Sequence, residues 1–161
     1  MGAYTPQTWA DSPATSSPLS AARLQYMENG IASLGVWATY TPTLGNFTLG
    51  NGSMTGRWTQ VGKTVHFSVR IVLGTTSAVT GVIQIGTPVT AAAAGWQCIA
   101  TLADTGTNFY YAFPLSVTTL VELYVLNTAG TYATPSNTSA TVPFTWGSTD
   151  VITVAGFFEA A

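Results

Sequence analysis

The most regular alternation of apolar and polar residues in the chain lies between Thr64 and Leu73. Its apolar residues occupy every second position: Val65, Phe67, Val69 and Ile71. The positions between them carry His66, Ser68 and Arg70. Because successive side chains of a strand point to opposite faces, this pattern predicts a β-strand with one buried face and one face in water.

Shorter apolar runs, separated by turn residues, predict the rest of a β-rich domain. These runs lie at residues 44–49, 53–60, 82–85, 96–102, 109–113, 119–126, 141–145 and 151–158. Asn51-Gly52 stands between the first two runs and favours a tight hairpin, since both central residues of such a turn take positive φ. About eight or nine short strands at this spacing predict a mainly β fold, an antiparallel β-sandwich of jelly-roll type, over residues 36–161.

A different period governs residues 18–35. Large apolar residues follow one another there at spacings of three, four and three: Leu24, Met27, Ile31 and Leu34. This narrow apolar seam is typical of the a and d positions of a coiled coil. Ser17 before Pro18 predicts the start of a helix, because serine caps free N–H groups and proline is tolerated at the first helical position. Gly35 predicts its end, in the left-handed conformation that follows many helices.

A helix of this length is rarely stable by itself, and Asn29-Gly30 lowers its propensity further. We therefore expect it to pack, either on copies of itself around an axis or on the β-rich domain. Polar residues beside the seam, among them Arg23, Gln25 and Glu28, favour the packing of copies. The sequence thus predicts a short oligomerisation helix over residues 18–35.

Residues 1–17 show neither the two-residue alternation of a strand nor the spacing of three and four residues that is typical of a helix. Tyr4 and Trp9 stand there among proline, alanine, serine and threonine, and proline favours an extended backbone. Large aromatic rings are costly to leave in water and are frequent hot spots of protein contacts. We interpret the segment as an extended attachment arm anchored by Tyr4 and Trp9. A chain terminus without a binding role is the alternative.

The composition favours an assembly over a freely diffusing monomer. Of the 161 residues, 6% are charged and 47% are hydrophobic, whereas about 25% of residues are charged in ordinary soluble domains. Such a surface offers little charge repulsion to keep copies apart. We expect a permanent oligomer, and a monomer with a neutral, threonine-rich surface is the alternative.

Several partner classes are excluded by what the sequence lacks. The chain carries four Lys and Arg residues, too few to neutralise the phosphates of a nucleic acid or an anionic membrane surface. No run reaches the roughly 18 apolar residues of a membrane span, and we expect no secretory signal. Cys98 is the single cysteine, so we expect no internal disulfide, no cysteine-based metal site and a buried thiol.

Candidate chemistry is sparse. His66 is the single histidine, and it lies beside Ser68 on one strand face without the acid that a catalytic triad needs. The acidic residues are dispersed, and nothing marks the pair that glycoside hydrolysis requires: Asp11, Glu28, Asp104, Glu122, Asp150 and Glu159. No phosphate loop, calcium loop or histidine pair appears. The sequence therefore predicts no enzyme, no cofactor and no metal site.

The aromatic residues of the β-rich region suit either a core or a binding surface. They are Trp58, Trp96, Tyr110, Tyr111, Tyr124, Tyr132 and Trp146. Rings with few charges around them suit sugar stacking or protein contact, although a core or subunit-interface position is the expectation for each one. Tyr110 and Tyr111 are adjacent on one predicted strand, so they must point to opposite faces.

Several segments of the chain resemble small structural proteins of tailed bacteriophages. The first contains Trp9 and continues through SPLSAARL at 17–24 to MENGI at 27–31. It looks like the N-terminal arm and helix of those proteins. Such a segment also occurs in phage minor tail proteins. Their β-domain is similar to WATYTPTL at 37–44, with GNG at 50–52 and RWTQVGKTV at 57–65. Their closing strand pair looks like PFTWGSTDVITVAG at 143–156.

This resemblance implies a non-enzymatic virion component, assembled in the host cytoplasm and placed on the virion surface. It implies a homotrimer with an attachment arm, a three-helix stalk and a β-sandwich head. The arm would bind the major capsid protein, as in capsid decoration or head-fibre proteins, or a tail protein. Roughly 17 helical residues reach only about 25 Å, so capsid decoration is favoured. A tail-associated tip that binds a host surface glycan is the alternative, and a polysaccharide depolymerase is a remote one.

Overall fold

The computed structural model describes residues 20–161. The chain divides into two compact units at the junction of Val36 and Trp37. In the described residues, the unit before this junction contains one helix, and the unit from Trp37 to Ala161 contains the strands. The predictions for the arm, including the anchors Tyr4 and Trp9, fall outside the described residues.

Helix α1 spans Ala21–Ser33. Its N-cap is Ser20, whose hydroxyl accepts a hydrogen bond from the backbone N–H of Arg23 at 3.3 Å. Arg23 is the third helical residue, which is the donor that a serine cap is able to reach. The prediction of Ser17 as the cap is therefore wrong. Gly35 follows the helix with a φ of 75°, as predicted, because glycine has no Cβ to clash in that conformation.

The strands confirm the mainly β fold. In chain order they are β1 (Ala38–Tyr40), β2 (Leu44–Thr48), β3 (Ser53–Val61), β4 (Thr64–Val72), β5 (Ala78–Gly86), β6 (Gln97–Asp104), β7 (Asn108–Ser116), β8 (Leu120–Asn127), β9 (Thr134–Asn137) and β10 (Val151–Glu159). Every predicted run except 141–145 contains a strand, and that run forms turns with an isolated bridge at Val142. The sequence analysis missed β9 because its residues are typical of turns. Pro135 is tolerated there because β9 lies at an edge.

All described strands belong to one antiparallel sheet. Their neighbour order is β1-β3-β4-β10-β6-β7-β8-β5-β2, and β9 pairs with the second half of β8. The sheet curls on itself into a sandwich-like fold. Its two ends approach each other. Tyr40 of β1, at one end, donates a hydrogen bond through its hydroxyl to the Gly86 carbonyl of β5, near the other end, at 3.4 Å.

The inner face of the curled sheet carries the core. The alternating apolar residues of β4 are all at most 2% exposed, while His66 and Arg70 between them are exposed, so the one-sided burial predicted for this strand is confirmed. The other strands contribute further fully buried residues: Ile83, Ile85, Leu102, Val121, Leu123, Ile152 and Val154. Each such side chain stabilises the fold by about 1.5–3 kcal/mol relative to an exposed position.

The hairpin predicted at Asn51-Gly52 is wrong in its pairing. A turn does close there, since the Gly52 N–H donates to the Leu49 carbonyl at 3.0 Å, but the positive φ belongs to Gly50. The strand before the turn, β2, pairs with β5, whereas β3 after it pairs with β1 and β4. Asn51 does not stabilise a hairpin turn. Its side-chain oxygen accepts hydrogen bonds from the N–H and the hydroxyl of Thr76, both at 2.9 Å. The turn is therefore a corner between the two ends of the sheet.

A buried threonine stabilises the point at which β8 changes its pairing partner. β8 pairs with β5 as far as Leu123 opposite Ile83, and with β9 from Tyr124 opposite Asn137. Thr138 directly follows β9 and is 1% exposed. Its hydroxyl accepts a hydrogen bond from the Ile83 N–H at 2.9 Å and donates one to the Leu123 carbonyl at 2.9 Å. Two buried backbone groups at the gap between β5 and β9 are thereby satisfied.

Candidate functional site

The outer face of β7 carries a row of uncovered apolar side chains. Alternate residues of the strand point outward, and we name them the β7 ridge: Phe109, Tyr111, Phe113 and Leu115. Phe109 is 79% exposed and Tyr111 is 83% exposed. The inward positions of the same strand include Ala112 and Ser116, which are smaller and buried. The strand thus directs four large apolar residues away from the core, while Tyr110 on its inner face packs against the core.

Small neighbours leave the β7 ridge projecting above the sheet. On β6, Ala103 lies opposite Phe109 and Thr101 lies opposite Tyr111. Neither a methyl group nor a threonine side chain is large enough to cover an aromatic ring. On the other side, Val125 of β8 pairs with Ala112, so Leu126 lies beside Tyr111. Both rings also line a depression of about 570 Å³ together with Leu126, and most of each ring remains in solvent.

A depression of about 510 Å³ lies on the outer face of β4, β10 and β6. Ala155 of β10 forms its floor, because it pairs with Ser68 of β4 on one side and Ile99 of β6 on the other. Larger residues form the walls, and we name the depression the β10 groove: Trp37, His66, Gln97, Ile99 and Phe157. The two small paired residues Ala155 of β10 and Ser68 of β4 leave the depression between the larger side chains around them.

The β10 groove and the β7 ridge form one continuous surface. Ile99 directly precedes Ala100, which pairs with Ala112 of β7, so Ile99 lies beside Phe113. No Asp, Glu, Lys or Arg lines the groove, and the ridge contains none. The polar groups at the groove are the imidazole of His66, the hydroxyl of Ser68 and the amide of Gln97.

His66, the one catalytic candidate of the sequence, lies in the wall of the β10 groove. Its ring centroid is 5.8 Å from that of Phe157, with the rings tilted by 33°. No acidic residue lines the groove with it. Within residues 20–161, no group of three or more His, Cys, Asp and Glu side chains is arranged to hold a metal ion. The geometry at His66 is that of an aromatic contact on an apolar surface.

Asp150 has a structural role in the described fold. It is 4% exposed, and its carboxylate accepts hydrogen bonds from the backbone N–H groups of Thr105 at 3.0 Å and Gly147 at 2.6 Å. It thereby joins the turn after β6 to the loop before β10. Both of its oxygens are occupied by the protein's own backbone.

Among residues 20–161, three side chains have a raised pKa. The Tyr124 hydroxyl donates a hydrogen bond to Glu122 at 3.0 Å, and this bond, with burial and the charge of Glu122, raises the pKa of Tyr124. The other oxygen of Glu122 accepts a hydrogen bond from Gln84 at 2.8 Å. Burial raises the pKa of Tyr40 above its usual range. Burial also raises the pKa of Cys98, which is half-buried rather than fully buried, to about 11.

Three residues of the predicted oligomerisation seam lie on α1, and the fourth, Leu34, is its C-cap residue. Met27, Ile31 and Leu34, the C-terminal members of the seam, are each more than half exposed, and Leu24 is half-buried. Half-exposed apolar residues on one helix are typical of a seam that another chain covers. That copies of this chain cover it stays a prediction.

The aromatic residues divide between core and surface. Trp58, Trp96 and Trp146 pack against the core, as does Tyr110. Tyr110 also stacks on Phe144 with ring centroids 5.3 Å apart, whereas its neighbour Tyr111 points outward. The prediction that these two tyrosines take opposite faces is confirmed. Tyr132 is 82% exposed in the loop before β9.

The sequence analysis missed most of the β7 ridge, although its signal was present. Residues 108–116 read NFYYAFPLS, with apolar residues at both alternating sets of positions. Such a continuous apolar run is typical of a strand that is buried on both faces. In the single chain β7 is covered on one face only, so the pattern itself indicates a second covering surface.

Comparison of the chain with protein-family models, with curated proteins and with solved structures finds no match. Among the described residues, no helix is both long enough and apolar enough to cross a membrane. The function must therefore be argued from the surface itself.

Proposed function

We propose that the protein is a non-enzymatic structural subunit that assembles with copies of itself on the surface of a tailed-phage virion. One observation carries the assembly part of this proposal: the uncovered apolar surface formed by the β7 ridge and the β10 groove. Monomeric proteins rarely expose a contiguous apolar patch above roughly 300–600 Å². With 6% charged residues, the rest of the chain provides little electrostatic opposition to association.

The half-exposed seam of α1 supports the same proposal from a second element. A 13-residue helix has little stability by itself, and Met27, Ile31 and Leu34 gain from burial against other helices. A homotrimer with the helices at its axis covers this seam and brings the heads side by side. We take three copies from the resemblance of the segments at 17–31 and 37–65 to phage structural proteins.

The virion part of the proposal rests on that resemblance. Capsid decoration is favoured over a tail tip because the 13 residues of α1 span only about 20 Å at 1.5 Å for each residue. The proposed partner is the major capsid protein, bound through the N-terminal arm. A tail protein is the alternative partner.

A second candidate function is glycan recognition by a tail-associated tip. The observation in its favour is the β10 groove, in which the rings of Trp37 and Phe157 lie near the polar groups of His66 and Gln97. Aromatic walls with a few polar groups are suited to sugar rings. A depolymerase is the weakest candidate, because Asp150 and Glu122 already bind groups of the protein itself.

Light scattering on the full chain and on a version lacking residues 1–35 tests the assembly. We expect a trimer for the full chain. A trimer that dissociates in the shortened version would identify α1 as necessary, and one that persists would place the principal contact in the head. A monomer in both versions would refute the proposed assembly.

Immunogold electron microscopy tests the virion location. Phage particles from the cells that encode the chain would be purified on a density gradient and labelled with an antibody against the head. We expect label over the capsid surface. Label confined to the tail tip would favour the glycan-binding alternative, and particles without the chain would refute the virion assignment.

A further inference from the structure

The shape of the uncovered surface specifies more than association. We propose that the β7 ridge of one copy packs into the β10 groove of a second copy, so that the heads join head to tail in a closed ring. This inference rests on the proposed homo-oligomer and adds the residues and the direction of the contact. The occupant of the groove is thus a second copy of this chain.

The chemistry of the two surfaces is complementary. The ridge presents the rings of Phe109 and Tyr111, which are 79% and 83% exposed. The groove presents Trp37 and Phe157 above an alanine floor.

The named residues of both surfaces are uncharged, but two charged residues adjoin them. Arg57 lies over the Trp37 ring at 5.8 Å, and it is exposed. Glu122 pairs with Leu115 and is already bonded to Gln84 and Tyr124. The contact must therefore keep the Arg57 guanidinium at its solvent-accessible rim, because burying an unpaired charge carries a large penalty.

The available area suits a stable interface. The seven large apolar residues of the ridge and groove are between 43% and 83% exposed, which amounts to roughly 850 Å² at about 200 Å² for each full side chain. Interfaces are about 57% apolar overall. The contact would therefore bury roughly 1,500 Å² in total, within the range of about 1,200–2,000 Å² for specific complexes.

The shapes of the ridge and the groove decide which surface of one copy packs against which surface of the next. Packing ridge against ridge in a symmetric dimer would place Tyr111 against Tyr111 and leave the β10 groove empty. Packing ridge into groove covers both surfaces at once. Because ridge and groove adjoin one another, ridge-into-groove packing is either reciprocal between two copies or head to tail around a ring. The three copies of the proposed homotrimer require the head-to-tail form, in which each copy contacts one neighbour through its ridge and another through its groove.

A substitution on the ridge tests the contact without disturbing the fold. Tyr111 is 83% exposed, so Tyr111→Lys removes no core contact, and Tyr132→Lys is a matched control because Tyr132 is 82% exposed and lines neither the ridge nor the groove. Both would be made in the full chain and measured by light scattering. We expect Tyr111→Lys to lower the mass about threefold, from trimer to monomer, and Tyr132→Lys to leave it unchanged.

The outcomes separate this inference from the proposed function. An unaltered chain that is monomeric would refute the homo-oligomer itself. A trimer that survives Tyr111→Lys would leave the homo-oligomer in place and overturn the ridge-and-groove contact. Equal dissociation by Tyr132→Lys would also overturn it, because the effect would then not depend on the ridge.

Crosslinking tests whether the ridge of one copy contacts the groove or the ridge of its neighbour. Thr107 is exposed and lies two residues before Phe109, so a cysteine there leaves the ridge intact. In a Cys98→Ala background, Thr107→Cys alone and Thr107→Cys combined with Gln97→Cys would be treated with a short bismaleimide. Gln97 is exposed at the groove. We expect covalent trimers from the double variant and no covalent dimer from the single variant. Dimers from the single variant would show ridge against ridge and overturn the head-to-tail arrangement.

Discussion

Replacing Thr138 by valine should destabilise the fold far more than its change in volume suggests. Valine and threonine have nearly the same shape, so Thr138→Val leaves the packing in place and removes the hydroxyl. That hydroxyl binds the Ile83 N–H and the Leu123 carbonyl, each at 2.9 Å. Both backbone groups lie at buried positions, where water is not available to replace the lost partner.

The magnitude follows from the two groups left unpaired. An unsatisfied buried donor or acceptor costs about 1–3 kcal/mol, so the two groups together should lower the free energy of unfolding of Thr138→Val by about 2–6 kcal/mol. Domains are stable by about 5–15 kcal/mol, which makes this a large fraction of the total. Thr138→Ser keeps the hydroxyl and loses one methyl group, so it should cost only about 1 kcal/mol.

Urea unfolding followed by tryptophan fluorescence would measure both variants. All samples would be compared at one protein concentration, because association stabilises the folded chain. Hydrogen exchange at the Ile83 amide provides a local measurement and should be faster in Thr138→Val than in Thr138→Ser. The reasoning would be refuted if Thr138→Val were as stable as the unaltered chain, or more stable than Thr138→Ser.

Substitutions at Gly156 and Thr149 and a chemical reaction at Cys98 test other parts of the head. Gly156→Ala should lower the free energy of unfolding by about 1–3 kcal/mol, because the new methyl group would lie 2.8 Å from the Cβ of Cys98; unchanged urea unfolding would contradict this. Cys98 should react slowly with a thiol reagent at pH 7 and faster above pH 9, since burial raises its pKa to about 11 and the thiolate is the reactive form; rapid reaction of the folded chain at pH 7 would disprove it. Thr149→Gly should raise the melting temperature, because Thr149 has a φ of 76° that costs a β-branched residue about 1–2 kcal/mol, whereas Ser148→Gly should lower it.

Local patterns determined the element types well in this chain. The alternation in β4 and the glycine after α1 are decided by residues within a few positions of each other, so the sequence was sufficient to predict them. The helix cap was misplaced, because Ser17 and Ser20 both suit that role and only the backbone geometry distinguishes them. β9 was missed because its residues form a strand only beside β8.

Strand pairing was decided by contacts that are distant in sequence. Asn51-Gly52 has the composition of a hairpin turn, but the bonds of Asn51 to Thr76 send β2 and β3 to opposite ends of the sheet. The fork at Thr138 depends likewise on Ile83, 55 residues away. Hydrogen bonds of this kind leave no periodic signal in the sequence.

The sequence by itself determined that this chain has a β-rich head, a short amphipathic helix and an unusually uncharged surface, because composition and period fix which faces are buried. It also held the doubly apolar pattern of β7. The tertiary structure decided which of the two apolar faces of that strand the core covers. It placed Phe109 and Tyr111 on the outer face, because the curved sheet covers only one of the two faces of each strand with its core. The surface most suited to a partner is therefore a consequence of the fold, while the residues that compose it were already present in the sequence.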